Sequence, residues 1–344
     1  MTTREAPRAP PASQDRAPAE PFCEPRPGTW RELAPSPRSP AGRLLRGLCR
    51  NAGTLSASHS LIGRGDRVLA ALSGGKDSMA LIELLLSLQS RAPFPFEVGA
   101  LVVDQGFAGF DAIAVASFAA ARGVATWIVR ADIRGAIEEL SWRHAPCALC
   151  ARLRRGVLYR VASELGFPVL ALGHHADDAI ETLLMNMFHN GQMRGMGPLW
   201  IPEDPAAPRV IRPLLTCLEA DLDAYARARD FRPVDPACPL PVSPETQRMA
   251  LKRLIRELSA EHPRLRQSLL ASMANVAPEA LMDLGLLGRP PIDRSPGASV
   301  DDLGGALEGS PCFSAEPGPR AGGSVETDAE AREERAPLEG DETR

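Results

Sequence analysis

A glycine-rich segment has the residue types that bind phosphate. It reads Ser73-Gly74-Gly75-Lys76-Asp77-Ser78 and follows a short apolar run. Adjacent glycines let the backbone approach an anion closely, and a lysine adds a point charge. A Walker A loop would need glycine at position 70 and Ser or Thr at position 77, where this chain has Ala70 and Asp77. The segment therefore predicts a phosphate-binding loop of another kind.

The rarity of lysine favours this interpretation. Lys76 and Lys252 are the only lysines among 39 Lys and Arg residues, so arginine supplies almost every other positive charge. A tight turn capped by Ser73 would explain the glycines but would not explain the lysine. We therefore predict that Lys76 has a functional role.

A close pair of cysteines, Cys147 and Cys150, precedes three arginines at the start of a predicted helix. Neighbouring positive charge and the amino end of a helix both favour thiolates, so metal binding or redox chemistry is favoured over two buried core cysteines. Structural zinc usually takes four ligands in two such pairs, and the sequence has no second Cys-x-x-Cys. Cys217 and Cys238 are further single cysteines inside the predicted folded part.

Histidines and carboxylates follow a later predicted strand, at His174, His175, Asp177 and Asp178. Carboxylates are favoured in the first turn of any helix, but two histidines at the carboxyl end of a strand favour a functional site. Mg²⁺ coordination and phosphate contact both remain open, and a His/Asp metallohydrolase centre is less favoured. Asp104 ends another predicted strand, where it either contacts the nucleotide or belongs to a solvated turn.

Apolar runs and helical patterns alternate through the middle of the chain, which is typical of a parallel sheet with helices on both faces. We expect an α/β, doubly wound parallel sheet with additional carboxyl-terminal helices. The predicted strands are 67–72, 97–104, 125–129, 169–173 and 209–214, and the predicted helices are 79–88, 110–122, 152–165, 177–190, 218–229, 245–259 and 264–276.

Composition separates this predicted domain from two tails. The chain has 344 residues and 33 prolines, which crowd both ends, so we predict a disordered proline-rich tail (1–41), a folded domain (42–288) and a disordered acidic tail (289–344). The formal net charge is −4, and the acidity is concentrated in the second tail. No apolar run is long enough to cross a bilayer and no secretory signal is present, so we expect no membrane association and a cytoplasmic location.

The glycine-rich segment resembles the signature of the PP-loop ATP pyrophosphatases, Ser-Gly-Gly-x-Asp-Ser. These enzymes split ATP into AMP and pyrophosphate, so the resemblance implies adenylation of a carbonyl oxygen. It also implies that Ser73, Gly74, Gly75, Asp77 and Ser78 hold the pyrophosphate end of ATP, with Lys76 beside them. The resemblance of this segment alone extends only to the superfamily.

Three further segments resemble the TtcA-type tRNA 2-thiocytidine biosynthesis proteins. They are Cys-Ala-Leu-Cys-Ala-Arg-Leu-Arg-Arg-Gly (147–156), Ala-Leu-Gly-His-His-Ala-Asp-Asp (171–178) and Ile-Arg-Pro-Leu (211–214). The resemblance implies an ATP-dependent tRNA sulfurtransferase that forms 2-thiocytidine in the anticodon loop. It implies catalytic roles for Lys76, Asp77 and Asp178, and ATP contacts from Asp104, His174 and Asp177.

The same resemblance implies Mg²⁺ and a 4Fe–4S cluster that is held by three cysteines, with sulfur carried as a persulfide or on the open iron. Cys147 and Cys150 match the family's first pair. The family's third ligand lies in a second close pair, of which this chain has only Cys238. Cys238 is therefore the first choice for the third ligand, and Cys217 is the second.

The implied partners are tRNA and a cysteine desulfurase or other persulfide donor. Monomer and homodimer stay open. Alternative functions are 2-thiouridine or lysidine synthesis by another PP-loop enzyme, or a non-enzymatic, zinc-holding RNA-binding protein. The basic candidates for an RNA-binding face are Arg43, Arg46, Arg50, Arg194, Arg248, Lys252, Arg253 and Arg256.

Overall fold

A six-stranded sheet forms the centre of the computed structural model, which describes residues 21–139, 146–234 and 246–287. The strands are β1 (Arg67–Ala71), β2 (Glu97–Asp104), β3 (Ala125–Arg130), β4 (Val169–Ala171), β5 (Leu199–Trp200) and β6 (Arg209–Ile211). Across the sheet their order is β3-β2-β1-β4-β6-β5, and every pairing is parallel except that of β5 with β6. The predicted α/β class with a mostly parallel sheet is confirmed.

Helices cover both faces of the sheet. They are α1 (Thr29–Leu33), α2 (Pro40–His59), α3 (Lys76–Gln89), α4 (Ala112–Ala120), α5 (Ile133–Glu139), α6 (Pro146–Glu164), α7 (Ala176–Asn190), α8 (Glu219–Ala228), α9 (Gln247–Glu261) and α10 (Leu265–Ser272). The chain divides into two compact units, Met1–Val276 and Ala277–Arg344. The second unit contains the short 3-10 helices Pro278–Ala280 and Leu284–Leu287. Within the described ranges, no helix is long and apolar enough to cross a membrane.

The strands are buried on both sides because their side chains alternate between two apolar clusters. Val68 and Ala70 of β1 pack in one cluster with buried residues of α2, α3, α4 and α8. Leu69, between them, packs in the other cluster with buried residues of α5 and α6. The helices therefore have fixed positions around the carboxyl ends of the strands.

The boundary predicted at residue 41 is wrong for residues 21–41, which belong to the fold. Cys23 forms a β-bridge with Thr126 of β3, and the Phe22 amide donates to the Thr126 carbonyl at 2.7 Å. Trp30 of α1 is buried in the core. The proline-rich composition of this segment predicted disorder. The segment is ordered by one contact with an edge strand and by one large apolar side chain, which composition does not reveal. Residues 1–20 and 288–344 lie outside the described residues, so the two tails there stay predictions.

Helix α6 and strand β5 also differ from the prediction. Helix α6 begins at Pro146, six residues earlier than predicted, and so includes the cysteine pair. Proline is well suited to the first turn of a helix, where its missing N–H costs nothing. Strand β5 has only two residues, too few for a sequence pattern, and it forms the sheet's antiparallel edge.

A buried carboxylate joins three helices behind the sheet edge. Glu83 of α3 is fully buried and accepts hydrogen bonds from the Tyr225 hydroxyl of α8 and from Arg229, whose Nε lies 2.9 Å away. Arg122, just after α4, donates to the same carboxylate at 2.8 Å. Burial and the carboxylate's charge raise the pKa of Tyr225. This Glu83 cluster fixes α8 against α3 and α4.

Candidate functional site

The candidate site lies where β1 and β4 end side by side. The connection after β1 runs towards β2 on one side of the sheet, whereas β4 lies on the other side of β1. Such a switch point opens a crevice at the carboxyl ends of the strands, where ligands of this fold class bind. The glycine-rich segment follows β1 and the His-His-Ala-Asp-Asp segment follows β4, so both predicted motifs meet there.

Backbone conformation shapes the loop after β1. Gly74 has φ +85°, and a Cβ at this position would lie 2.8 Å from the Val115 side chain. Ser78 is buried, and its hydroxyl accepts from the Ser73 amide at 3.2 Å and donates to the Gly75 carbonyl at 2.8 Å. Since Gly75, the N-cap of α3, has no side chain, the first amides of this helix are open to an anion. These features fit a phosphate group.

Acidic side chains surround Lys76. Its Nζ lies 3.0 Å from Asp77 Oδ1, 3.2 Å from Asp223 Oδ1 and 3.6 Å from Glu219 Oε1. Partial burial lowers the pKa of Lys76, but the contacts with Asp77 and Asp223 outweigh it, so the pKa is raised overall. The lysine is therefore a firm cation that is held at the mouth of the loop.

The two carboxylates after β4 have different surroundings. Asp177 is buried, accepts from the Glu219 amide at 2.8 Å and from Arg266 Nε at 2.7 Å, and so fixes the amino end of α8. Asp178 accepts from the His175 amide at 3.1 Å in a capping box and is the less buried of the two. Asp178 is thus better placed to meet a ligand, whereas the contacts of Asp177 are structural.

His174 lies in a strongly cationic environment. Burial lowers its pKa to about 4, and the positive charges of Arg212, Arg248 and Arg154 add to this effect against the opposing charge of Asp178. Arg154 lies on α6, Arg248 lies on α9, and Arg212 directly follows β6. A neutral imidazole in this position is a hydrogen-bonding group, and the surrounding arginines favour an anionic ligand.

Both lysines of the chain meet at one carboxylate oxygen. Lys252 Nζ lies 3.5 Å from Glu219 Oε1, the atom that Lys76 also approaches, and 3.5 Å from Glu181 Oε1. Arg248, one turn earlier on α9, lies 3.3 Å from Glu181 Oε2. Burial raises the pKa of Glu181 against the opposing charges of Lys252 and Arg248. Helix α9 therefore brings two cations to the crevice, although the sequence suggested them for an outer RNA face.

The cysteine pair lies at the amino end of α6. Cys147 is exposed, and Cys150 is partly buried and donates from Sγ to Gln105 Oε1 at 3.1 Å. Gln105 follows Asp104 at the end of β2, where Asp104 Oδ1 accepts from the Gly106 amide at 3.0 Å. The structure thus brings the pair to the same edge of the sheet as Asp104, and both side chains are thiols.

Cys238 and Cys217 are the two candidates for the third cysteine ligand. Cys238 lies outside the described residues. Cys217 is fully buried in the core, its Sγ lies 3.8 Å from the Leu48 carbonyl, and burial raises the pKa of its thiol to about 12. These surroundings make Cys217 a poor thiolate ligand, so Cys238 stays the predicted third ligand.

No preformed metal cage was found. Among the described residues, no three His, Cys, Asp or Glu side chains are grouped so that they could hold a metal ion. The carboxylates of the crevice are instead paired with the lysines and arginines described above. A divalent cation would fit here only together with the phosphates of a nucleotide.

Several site residues were missed in the sequence. Glu219 and Asp223 of α8, Arg266 of α10 and Gln105 lie in elements without a recognisable motif. The spacing of Glu219 and Asp223 by four residues, in the first two turns of a helix, is a common pattern. The second lysine was the one available signal, because its rarity marked it out. Arg43 and Arg46, suggested for RNA binding, donate to the Arg38 and Pro37 carbonyls at 2.6 Å each.

Known proteins are similar to this chain in sequence. Residues 53–236 match the PP-loop domain family. The tRNA-cytidine(32) 2-sulfurtransferase of Sorangium cellulosum is 42% identical over 266 residues, which cover 76% of this chain and 93% of that protein. The tRNA-cytidine(32) 2-sulfurtransferase of Haemophilus ducreyi is 39% identical, over 71% of this chain and 77% of that protein.

A solved structure shares the fold. The U34-tRNA thiolase NcsA from Methanococcus maripaludis, determined with its 4Fe–4S cluster, superposes with a TM-score of 0.57 at 24% identity. The superposition covers 67% of this chain and 77% of that one. At this identity the likeness establishes the common architecture.

Proposed function

Because this chain belongs to the family of tRNA-cytidine(32) 2-sulfurtransferases, we propose that it replaces the O2 oxygen of a cytidine in the tRNA anticodon loop with sulfur, using ATP. The observation that carries the proposal is the meeting of both lysines at the crevice between β1 and β4. Lys76 and Lys252 approach the same oxygen of Glu219. A triphosphate is the substrate group that such a pair of point charges suits best.

The open amides of α3 and the glycine-rich loop bind the pyrophosphate end of ATP. Ser73, Gly74, Gly75 and Ser78 form this cradle, and Lys76 adds its charge. The phosphates replace Glu219 as the partner of Lys76 and Lys252, which compensates for the charge brought in. Mg²⁺ enters with the nucleotide, and Asp77, Asp104 and Asp178 are its candidate ligands beside phosphate oxygens.

The reaction then has two displacements. The cytidine O2 attacks the α-phosphorus of ATP, the bond between the α-phosphorus and the bridging oxygen breaks, and pyrophosphate leaves. Sulfide next attacks C2, the bond between C2 and the former O2 oxygen breaks, and AMP leaves with that oxygen. Where a persulfide is the source, a thiol or another two-electron reductant first cleaves its S–S bond to release the sulfide. Lys76 and Lys252 stabilise the charge that develops on pyrophosphate in the first step. His174, neutral and surrounded by arginines, hydrogen-bonds the nucleotide at the strand end.

Cys147 and Cys150 would bind two irons of a 4Fe–4S cluster, with Cys238 as the third ligand. Their fit rests on the chemistry of two thiols three residues apart on one helix turn, the first of them exposed. When bound, the cluster supplies an iron with an open position for sulfur. Gln105 fixes the side chain of Cys150 beside the end of β2.

The partners follow from this chemistry. The substrate is tRNA, which places the protein in the cytoplasm with its substrate. A cysteine desulfurase or another persulfide donor supplies the sulfur, and the oligomeric state stays open between monomer and homodimer.

The test is nucleoside analysis of tRNA after reaction. Unmodified tRNA is incubated anaerobically with the full chain, ATP, Mg²⁺ and a sulfide source, then digested and separated by mass spectrometry. We expect 2-thiocytidine that requires ATP, with AMP and pyrophosphate formed in equal amounts. Three results would contradict the proposal. Sulfur in uridine would indicate a 2-thiouridine enzyme, and lysidine in place of a thionucleoside would indicate lysidine synthesis. Binding of tRNA without AMP formation would indicate a non-enzymatic RNA-binding protein.

Cysteine variants test the metal centre separately. Cys147→Ala, Cys150→Ala and Cys238→Ala should each lose most of the iron, because cluster thiolates act as a set. Cys217→Ala is the matched control and should keep the iron, since this thiol is buried away from the pair. Iron content and the visible absorption spectrum after anaerobic purification are the measurements. Loss of iron in Cys217→Ala with retention in Cys238→Ala would exchange their roles.

A further inference from the structure

Two aromatic rings stack on the outer edge of the sheet. Tyr159 of α6 and Trp200 of β5 have ring centroids 5.8 Å apart and planes inclined by 14°. Trp200 remains 44% exposed, although tryptophan side chains are usually largely buried. Tyr159 lies against one face of the indole and leaves nearly half of the Trp200 surface open to solvent. The pair therefore presents a flat aromatic surface to solvent.

Arginines connect this pair to the crevice. Arg212 directly follows β6, and Tyr159 and Arg155 lie near its guanidinium. Arg212 and Arg154 also lie close enough to His174 to lower the pKa of that imidazole. Arginines therefore lie both near His174 and near the stacked rings.

These arginines are available to a ligand. Arg154 and Arg155 are exposed on α6, and Arg155 donates from Nε to the Ala151 carbonyl, one turn earlier on its own helix. Arg212 donates from Nη1 to the Gly197 carbonyl at 2.8 Å. Its Nε is buried and makes no hydrogen bond with any residue in the described part of the chain. Burial lowers the pKa of Arg212.

We propose that the stacked pair Tyr159 and Trp200, with Arg154, Arg155 and Arg212, binds unpaired nucleotides of the tRNA anticodon loop next to the reacting cytidine. This inference rests on the proposed function and adds the surface on which the loop lies. A base stacks on the free face of Trp200, and the arginines contact the backbone phosphates. The combination of an aromatic face with flanking cations is the usual means of binding single-stranded nucleic acid.

The distances suit a loop that also reaches the crevice. Tyr159 lies nine residues after Cys150 on α6, which is about 14 Å along the helix axis. A few nucleotides of single strand can span this length. Paired bases in a stem are already stacked and have no free face for the indole, so the surface fits loop nucleotides. Strand β5, with two residues, offers too little main chain for a protein partner to extend the sheet.

Binding of tRNA to the full chain, measured by fluorescence anisotropy with the nucleotide analogue AMPCPP present, tests the proposal. Trp200→Ala should weaken binding between about 5-fold and 100-fold, the range found when one base loses its aromatic partner. Trp200→Phe should restore most of the affinity, because it keeps a flat ring. Ile201→Ala is the matched control: Ile201 is the next residue and is 69% exposed, and this variant should bind as the wild type.

Salt dependence tests the arginines. Arg155→Ala should reduce the slope of log Kd against log salt by about 0.7, as expected for one lost phosphate contact to a single strand. A shorter RNA, a hairpin of the anticodon stem closed by a stable tetraloop, lacks the loop nucleotides. It should bind Trp200→Ala and the wild type equally.

The outcomes separate this inference from the proposed function. Unchanged tRNA affinity in Trp200→Ala would overturn the stacking surface, even if the protein thiolates tRNA. The surface would also be overturned if Trp200→Ala weakened binding of the hairpin as much as binding of tRNA. Absence of tRNA binding by the wild type would instead overturn the proposed function. Binding of AMPCPP by Trp200→Ala checks that this variant is folded. A second measurement needs no destabilising variant: tRNA should quench the tryptophan fluorescence of the wild type, and Trp200→Phe is the blank.

Discussion

Two groups of opposite charges, the Glu83 cluster and the contacts of Lys76 and Lys252 with Glu219, each pair a glutamate with basic side chains but differ in geometry. Glu83 is fully buried, and its cationic partners donate good hydrogen bonds at 2.8 to 2.9 Å. Glu219 is one-third exposed, and Lys76 and Lys252 stay 3.5 to 3.6 Å from its oxygen. The first group is closed, whereas the second is open to solvent and to a ligand.

The difference indicates what each group does. A buried carboxylate that loses its partners is costly, so the Glu83 cluster stabilises the packing of α3, α4 and α8. Pairs that are partly exposed and longer than a normal hydrogen bond contribute little to folding. Their cations can exchange a carboxylate for a phosphate at small cost. Substitutions in the two clusters should therefore affect different measured quantities.

The largest expected effect is on stability, in the Glu83 cluster. Glu83→Gln removes the charge that Arg122 and Arg229 require and should lower the free energy of unfolding by about 3 to 5 kcal/mol. Urea denaturation followed by circular dichroism measures it. Glu97→Gln is the control, because Glu97 pairs with Arg67 on the surface and is 72% exposed. A loss below about 1 kcal/mol in Glu83→Gln would remove the distinction between the clusters.

Next is the effect of Lys76 on catalysis. Lys76→Met should lower the rate of ATP-dependent thiolation by at least about 100-fold, the usual loss when a group that stabilises developing charge is removed. The unfolding free energy should change by less than about 1 kcal/mol, since the side chain is partly exposed. Thiolation rate and urea denaturation are measured on the same preparation. Wild-type turnover would contradict the assignment of the loop.

A smaller effect is expected for Lys252. Lys252→Met should weaken ATP binding by about 10-fold, which corresponds to one lost charge-assisted contact. Isothermal titration calorimetry with AMPCPP gives the affinity. Arg253→Met is the matched control, because Arg253 is the next residue in the chain and its side chain is exposed. Equal affinities in the two variants would show that Lys252 pairs with Glu219 without taking part in nucleotide binding.

The smallest effect concerns acid stability. His174 has a pKa of about 4 in the fold, below its usual 6.5, so the native state binds fewer protons than the unfolded state between these values. The unfolding free energy should therefore rise with pH across this window and fall on acidification. His174→Gln should flatten that slope in urea titrations.

Arginine variants sharpen this prediction. Arg154→Gln removes one cation that faces His174 and should raise the pKa of the imidazole, as read from its NMR chemical shifts. Arg152→Gln, on another side of α6, is the control. Equal shifts in both variants would contradict the placement of Arg154 near the crevice.

The sequence predicted the parts of the fold that depend on local pattern. Strand β2 was predicted with its exact bounds, because its apolar run is continuous and ends at Asp104. The loop after β1 and the segment after β4 were also recognisable, since each follows a strand. Their contact was predictable from the rule that ligands bind at the carboxyl ends of parallel strands.

Other parts depend on contacts between distant residues. Trp30 is buried in the core, although it lies in a segment whose composition suggested disorder. Strand β5 is defined only by its pairing with β6. Glu219 and Lys252 lie on different helices, and their meeting results from the packing of α8 and α9 around the crevice. The Glu83 cluster likewise joins residues that are far apart in the chain. No local pattern contains this information.

The most direct test of the central claim, that ATP is used to adenylate the cytidine oxygen, follows the fate of that oxygen. A tRNA carrying heavy oxygen at the O2 position of its loop cytidine is reacted with the full chain, ATP and a sulfide source, and the AMP is analysed by mass spectrometry. We predict one heavy oxygen in each AMP formed, matched by the amount of 2-thiocytidine. Unlabelled AMP alongside thiolated tRNA would contradict adenylation of the base.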